Sequence, residues 1–178
     1  MNSGCYWPSG IQGLPGTQGV TGPAGTSIPV SINRIYAANY GSNDVYVING
    51  FTNAIIATIP VGSKPYGVAI NPNTNRIYVE NASNISVIDG SSNTVIGNIP
   101  VGGGTRAILS MAISKNNVYV ANYGTNYVSV IDGNINTVIA TITVGAAPIG
   151  IGVNPTTNQL YVANANDNNV SVLNDFIF

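Results

Sequence analysis

From residue 28 onward the sequence repeats a unit of about 42 residues four times. A tyrosine anchors each copy, and the four are spaced 42, 41 and 42 residues apart: Tyr36, Tyr78, Tyr119 and Tyr161. The lines around them are similar, as in NNVYVANYGTNYVSVIDG at 116–133. A fixed period of this length indicates one supersecondary unit repeated along the chain.

Each unit divides into four short apolar runs separated by turn residues. In the second unit the runs are 67–70, 76–80, 85–88 and 94–101, and Asn, Pro, Gly and Ser fill the segments between them. β-Branched and aromatic residues dominate the runs, and no segment sustains the period of an amphipathic helix. Four short antiparallel strands in about 40–45 residues describe one blade of a β-propeller.

The repeats resemble those of the YVTN family of β-propeller proteins. The resemblance rests on YVAN at 119–122, VSVID at 128–132, ATITVG at 140–145 and PIGIGVNPTTN at 148–158, and it covers residues 28–178. It implies a β-propeller fold. Members of the family are commonly extracellular or surface-layer proteins and commonly have more blades than four, and this chain departs from that number.

A count of strands predicts that the last blade is incomplete. The first unit starts with a strand at 30–33 and the fourth ends after its third strand, so the four units supply fifteen strands. That third strand, at 169–173, would be an open edge bearing Val170 and Val172, with Phe176 and Phe178 just beyond it. Exposed apolar edges invite strand addition from another chain. The alternative is that loops of the same chain cover the edge, or that the blade tolerates three strands.

A second, shorter period precedes the repeats. Glycine occupies every third position through six triplets of 10–27: Gly10, Gly13, Gly16, Gly19, Gly22 and Gly25. An uninterrupted Gly-X-Y period is typical of a collagen triple helix, because only glycine fits at the axis where three chains meet. The alternative is a glycine-rich linker. We therefore expect an N-terminal tail at 1–9, a polyproline-II, triple-helical stalk at 10–27 and a propeller domain at 28–178.

The tail carries residues suited to assembly. Cys5 is the only cysteine, so it has no partner within one chain and is suited to a bond between chains. A three-chain stalk would bring three copies of Cys5 together, with Tyr6 and Trp7 beside them as an aromatic plug. Six triplets are too few for a stable triple helix alone, so the heads, Cys5 or fibre packing must contribute.

Side chains suited to catalysis are scarce. The sequence has no histidine, five basic and six acidic residues, and a net charge of −1. Histidine-based triads and histidine zinc sites are therefore excluded. Asp89 and Asp132 hold the same place before glycine in successive repeats, which indicates a turn role. We predict no catalytic residue, no metal site, no cofactor and therefore no enzyme.

Partners are predicted from the same composition. The five basic residues are scattered, which argues against nucleic acid. The apolar runs are too short for a membrane span. We expect a homo-oligomer, trimeric through the Gly-X-Y segment and able to extend into a fibre, with a glycan or protein as a further possible ligand.

These features predict an all-β, four-repeat propeller on a collagen-like stalk, acting as a self-assembling structural subunit. A collagen-like stalk with a globular head resembles the hair-like proteins of bacterial spore surfaces, which implies a spore or cell surface, although MNSGCYWPSG shows no signal peptide. Two alternatives stay open. One is an adhesive head that binds a ligand through loop tyrosines (Tyr40, Tyr66, Tyr123 and Tyr127), and the other is a component of a phage-like fibre.

Overall fold

Residues 33–102 and 108–175 are described by the structure, which is a computed structural model. Their fourteen strands form four antiparallel sheets, and no α-helix occurs among them. The strands are β1 (Arg34–Asn39), β2 (Asp44–Asn49), β3 (Ile55–Pro60), β4 (Val68–Asn71), β5 (Arg76–Glu80), β6 (Asn84–Asp89), β7 (Thr94–Pro100), β8 (Ile108–Ser114), β9 (Asn117–Asn122), β10 (Tyr127–Asp132), β11 (Thr137–Thr143), β12 (Pro148–Asn154), β13 (Gln159–Asn164) and β14 (Asn169–Asn174).

The sheets follow one another along the chain. Sheet 1 is β1-β2-β3, sheet 2 is β4-β5-β6-β7, sheet 3 is β8-β9-β10-β11 and sheet 4 is β12-β13-β14. Neighbouring strands within each sheet are consecutive in sequence, as in a meander. The prediction of an all-β chain built from four repeated sheets is confirmed. The strand predicted at 30–33 falls almost wholly outside the described residues and stays a prediction.

The turns explain why the sequence is rich in asparagine. Eight of the eleven non-glycine residues with positive φ in the described part are asparagines, with φ between 51° and 60°: Asn43, Asn53, Asn75, Asn93, Asn126, Asn136, Asn158 and Asn168. All but Asn53 directly precede a strand. Asparagine tolerates this left-handed conformation better than other residues with a side chain. The repeated asparagines therefore set where seven of the fourteen described strands begin.

A second asparagine fixes the turn between the second and third strands in three of the four repeats. Asn81 Nδ2 donates to Ser86 Oγ at 2.9 Å, and Asn122 Nδ2 donates to Ser129 Oγ at 3.0 Å. In sheet 4, Asn164 Nδ2 donates to the corresponding serine at 2.8 Å. The YVAN and VSV motifs are thus joined by one buried hydrogen bond, which fixes the register of the two strands.

Three buried apolar clusters join the four sheets in chain order. One cluster joins sheets 1 and 2, a second joins sheets 2 and 3, and a third joins sheets 3 and 4. Sheets 2 and 3 are therefore packed against a neighbouring sheet on both faces, whereas sheets 1 and 4 are each packed against a neighbouring sheet on one face. We call the face toward the next sheet in the chain the forward face, and the opposite one the rear face.

Candidate assembly surface

The contact between sheets 2 and 3 shows how one sheet receives the next. On the forward face of sheet 2, Tyr78, Ile85 and Val87 are fully buried. They pack against the rear face of sheet 3, where Val118 and Val120 belong to the same cluster. Strand alternation explains the split, because residues 77 and 79 flank Tyr78 and point the other way, into the cluster with sheet 1.

Polar contacts at one rim fix the same two sheets. Tyr78 Oη donates to Asn136 Oδ1 at 3.0 Å, in the turn between β10 and β11. Arg76 Nη1 donates to the Gly133 carbonyl of that turn at 2.8 Å. Burial is the main cause that raises the pKa of Tyr78, so its hydroxyl stays a donor. Sheet 2 therefore anchors β5 on the turn between the last two strands of sheet 3.

Sheets 1 and 2 use the same arrangement. Arg34 Nη1 donates to the Gly90 carbonyl at 2.6 Å and to Asn93 Oδ1 at 3.0 Å. Tyr36 packs against the cluster between the two sheets. Its buried Oη has no hydrogen-bond partner among the described residues. At this rim Arg34 therefore makes the polar contact without a bond from the tyrosine.

Sheets 3 and 4 replace the carbonyl acceptor with a carboxylate. Asp175 stands where the other turns have glycine, and its backbone N–H donates to the Asn158 carbonyl at 2.8 Å, as Gly133 N–H donates to the Asn116 carbonyl. Its side chain accepts hydrogen bonds from Tyr119 Oη and, at 2.7 Å, from Ser114 Oγ. Lys115 Nζ lies 3.4 Å from the same carboxylate.

These contacts decide the charge of Asp175. Burial alone would raise the pKa of this carboxyl, but the hydrogen bonds from Tyr119 and Ser114 and the charge of Lys115 outweigh burial and lower the pKa. Asp175 is therefore ionised at neutral pH and acts as the acceptor that holds sheet 3 to sheet 4. The sequence signal was present, since asparagine-aspartate at 174–175 aligns with aspartate-glycine at 132–133.

The two outermost faces carry apolar side chains that are exposed. On the forward face of sheet 4, Tyr161 is 39% exposed, Val170 56% and Val172 53%. On the rear face of sheet 1, Ile35 is 51% exposed and Ile55 54%. The described head therefore presents an uncovered apolar face at each end of its row of sheets.

The strand predicted to be an open edge contributes to the exposed face of sheet 4. Val170 and Val172 belong to β14, which is the last strand in the order of sheet 4 and pairs only with β13 among the described strands. Phe176 and Phe178 lie outside the described residues, and so do Cys5, Tyr6, Trp7 and all six stalk glycines. Their predicted roles in assembly stay predictions.

The four anchoring tyrosines hold equivalent places. Each is the third residue of its strand, in β1, β5, β9 and β13. Tyr78 and Tyr119 are buried, whereas Tyr161 is partly exposed and donates to its neighbour Gln159 Oε1 at 3.2 Å. The difference in burial follows from position, because Tyr161 faces away from the other three sheets.

Glu80 is a buried acid that the sequence reasoning missed. Only 2% of Glu80 is exposed, and its Oε1 has no hydrogen-bond partner among the described residues. Burial raises its pKa to about 7. The signal lay in the repeats, which have alanine at the same place: Ala38, Ala121 and Ala163. Burial alone causes this shift, and no other titratable group among the described residues contributes to it.

The remaining acids have turn or rim roles. Asp89 Oδ1 accepts hydrogen bonds from the backbone N–H groups of Ser91 and Ser92 at 2.8 and 3.0 Å. The bonds from Ser92 and Ser91 lower its pKa. Asp132 Oδ1 accepts a similar bond from the Asn134 N–H at 2.7 Å. Both acids therefore shape the turn between the third and fourth strands.

Neither a metal-binding cluster nor a membrane-spanning helix occurs among the described residues. Within 33–102 and 108–175, no group of three His, Cys, Asp or Glu side chains is placed to hold a metal ion. No helix in that part of the chain is long and apolar enough to cross a membrane. A groove of about 490 Å³ between sheets 3 and 4 is lined by Ser114, Lys115 and Asn158 among others.

Two loop tyrosines form an exposed aromatic pair. Tyr40 and Tyr66 have ring centroids 5.2 Å apart and stand edge to face, with exposed fractions of 49% and 46%. Tyr40 follows β1 and Tyr66 precedes β4. The other two candidate tyrosines are half-buried: Tyr123 follows β9, and Tyr127 is the first residue of β10.

Comparison with known proteins finds similarity of structure. No family model and no curated protein matches the chain. Hydrazine synthase of Kuenenia stuttgartiensis superimposes with a TM-score of 0.69 at 22% identity, over 79% of this chain and 42% of that one. The computationally designed protein Ika4 gives 0.67 at 14% identity, over 81% of this chain and 86% of that one.

A third similar structure is AztD from Citrobacter koseri, with a TM-score of 0.56 at 16% identity over 63% of this chain and 32% of that one. The chain thus spans less than half the length of hydrazine synthase and of AztD. Hydrazine synthase and AztD both have β-propeller-like folds. Together with the four antiparallel sheets in sequence, these similarities show that the described chain has a β-propeller-like fold.

Proposed function

We propose that this protein is a structural, self-assembling subunit of an extracellular or spore-surface fibre. The proposal rests mainly on the exposed apolar faces at both ends of the head, which carry the residue types that the internal sheets bury. Large exposed apolar patches mark interaction sites in proteins that are otherwise polar on the surface. The glycine period at 10–27 adds a second assembly device, a three-chain stalk.

In this proposal the head is a YVTN-type propeller with a structural role and no catalytic one. Its acids are engaged singly, in turns or between sheets, and do not converge on one cleft. Catalysis by a protein normally needs such convergence of acid, base and nucleophile. The chain would need no cofactor, and its partners would be further copies of itself.

A matched pair of substitutions in the stalk tests the proposal. Gly16→Asp places a side chain at the crowded axis, whereas Thr17→Asp adds the same charge at a neighbouring position that points outward in a triple helix. We expect the unmodified chain and Thr17→Asp to form trimers or fibres in analytical ultracentrifugation and electron microscopy. Gly16→Asp should lower the mass. Equal masses for all three chains would refute a stalk-driven assembly.

A second candidate function is a binding head, favoured by the exposed pair Tyr40–Tyr66. Edge-to-face aromatic pairs present a rigid apolar surface with two hydroxyl groups, and tyrosine is common in recognition sites. A glycan array compares the unmodified chain with Tyr40→Ser and with Phe51→Ser, a control at a turn residue that is 85% exposed. Binding lost only in Tyr40→Ser would support this function, and no binding by the unmodified chain would oppose it.

A further inference from the structure

The forward face of sheet 4 repeats a surface that is buried elsewhere in the molecule. Tyr161, Val170 and Val172 occupy the positions that Tyr78, Ile85 and Val87 hold in sheet 2, and that Tyr119, Val128 and Val130 hold in sheet 3. All six internal residues are fully buried against the following sheet. Sheet 4 therefore presents the first half of an interface that the molecule already uses.

The rear face of sheet 1 presents the second half. Ile35, Ala37 and Ile48 occupy the positions of Val118, Val120 and Ile131 on the rear face of sheet 3. Those three are fully buried in the cluster that receives Tyr78, Ile85 and Val87. The forward face of sheet 4 and the rear face of sheet 1 are thus complementary, as are the facing surfaces of consecutive sheets within the chain.

The polar rim is preserved on sheet 1. The turn Gly50–Asn53 of sheet 1 matches Gly133–Asn136, and Asn53 has a φ of 57° where Asn136 has 55°. Gly50 N–H donates to the Asn33 carbonyl at 2.8 Å, as Gly133 N–H does to the Asn116 carbonyl. Asn53 Oδ1 is therefore placed to accept from a tyrosine as Asn136 Oδ1 accepts from Tyr78.

Two residues depart from the pattern, because Gln159 of sheet 4 stands where sheets 1 and 2 have Arg34 and Arg76, and Tyr46 differs on sheet 1. Tyr46 on the rear face of sheet 1 stands where sheets 2, 3 and 4 have Ser86, Ser129 and Ser171. Ser86 Oγ and Ser171 Oγ each accept a hydrogen bond at 3.3 Å from the N–H of a glycine, Gly62 or Gly145, that follows the outermost strand of the preceding sheet, β3 or β11. The described part of sheet 4 contains no counterpart of β11, so the larger tyrosine ring has room at this contact.

We propose that sheet 4 of one copy docks on sheet 1 of a second copy, head to tail, and so repeats the contact made three times inside each chain. Tyr161 Oη then exchanges its bond to Gln159 for one to Asn53 Oδ1 of the second copy. The proposal deepens the proposed function, on which it rests, by naming the contact between heads. Such a heterologous contact closes into a ring or propagates as a filament.

Charge reversal across the contact tests the proposal. Val172→Lys places a charge on the forward face of sheet 4, and Ile35→Asp places the opposite charge on the rear face of sheet 1. Their counterparts Val87 and Val118 lie in one cluster, so the two new charges would meet. Ile96→Lys is the matched control, because Ile96 is 48% exposed on β7, away from both end faces.

All chains are full length and carry Gly16→Asp, which removes the stalk contribution, and sedimentation is measured over a range of concentrations. We expect the parent to form species larger than 18.3 kDa. Val172→Lys should weaken this association at least about 100-fold, because an unpaired charge is buried in an apolar contact. Ile96→Lys should have no effect, and Val172→Lys with Ile35→Asp should recover part of the association.

Two results would overturn the docking proposal. One is a parent chain that stays monomeric at every concentration, and the other is equal association of Val172→Lys and the parent. Tyr161→Phe adds a gentler probe that leaves the apolar face intact, and it should weaken association about 2- to 10-fold through the lost hydrogen bond. The proposal that the stalk drives assembly is tested separately. It fails if Gly16→Asp, introduced into the unmodified chain, leaves the mass of the assembly unchanged.

Discussion

Glu80→Gln should stabilise the protein at neutral and alkaline pH. The carboxyl of Glu80 is buried beside Gly67, whose missing side chain leaves the space that it fills. Burial raises the pKa from 4.5 to about 7 in the folded chain. Each pKa unit corresponds to about 1.4 kcal/mol, so ionised Glu80 costs the fold about 3 kcal/mol.

The sign of the pH dependence follows from the raised pKa. Below pH 4.5 the group is protonated in both states, and its contribution to stability is fully present. As the pH rises to about 7 the unfolded chain ionises first, and stability falls until the folded carboxyl ionises too. Glutamine has nearly the same shape and cannot ionise, so the variant escapes this loss.

Urea unfolding at pH 4 and pH 8 measures the effect. We expect Glu80→Gln to match the unmodified chain at pH 4 and to exceed it by up to about 3 kcal/mol at pH 8. Asp167→Asn is the control, because Asp167 is exposed and an asparagine oxygen can still accept the hydrogen bond from the Ala146 N–H. A gain that is the same at both pH values, or a loss at pH 8, would refute the reasoning.

Three further predictions concern the contacts between sheets, each measured by urea unfolding. Asp175→Asn should lower the free energy of unfolding by about 1–3 kcal/mol at pH 7, because the new amide nitrogen cannot accept a hydrogen bond from Tyr119 and Lys115 loses its ion pair. This cost should shrink as the pH falls below 4, because the contribution of a carboxyl with a lowered pKa is lost there, and a cost independent of pH would contradict the reasoning. Gly133→Ala should destabilise the fold by about 1–3 kcal/mol, because the new methyl group would overlap the Asn116 carbonyl. In the control Gly97→Ala the new methyl group meets no atom within 4 Å and should be neutral or stabilising, so equal effects of the two changes would refute the steric argument. Tyr78→Phe should cost about 1 kcal/mol through loss of the bond to Asn136, and no change would show that this bond adds nothing.

Much of the fold could be predicted because the repeats carry their own register. The second strand of the second unit was expected at 76–80 and is β5, Arg76–Glu80, while the third was expected at 85–88 and extends by one residue at each end as β6. The turn chemistry of Asn, Asp and Gly is local, so a sequence window is enough to identify it. The alternation of apolar residues then determines which of them share a face.

The assembly surface could be predicted only in part. That Val170 and Val172 lie on an exposed strand followed from counting strands, but the matching face on sheet 1 depends on how sheets pack. The acceptor role of Asp175 was missed because it arises between two residues 56 positions apart in sequence, where Tyr119 meets the end of the next sheet. Burial of Glu80 depends likewise on the space beside Gly67, which no local pattern reports.

The linear order of the sheets also governs the response of the head to mechanical force. Sheets 2 and 3 are each held by two clusters, whereas sheets 1 and 4 are each held by one. In arrays whose units contact only their neighbours, stability is close to a sum of unit and interface contributions, so units held on one side open first. A load applied along the chain would therefore unfold sheets 1 and 4 before sheets 2 and 3. The head would lengthen in steps and absorb mechanical energy while sheets 2 and 3 stayed folded.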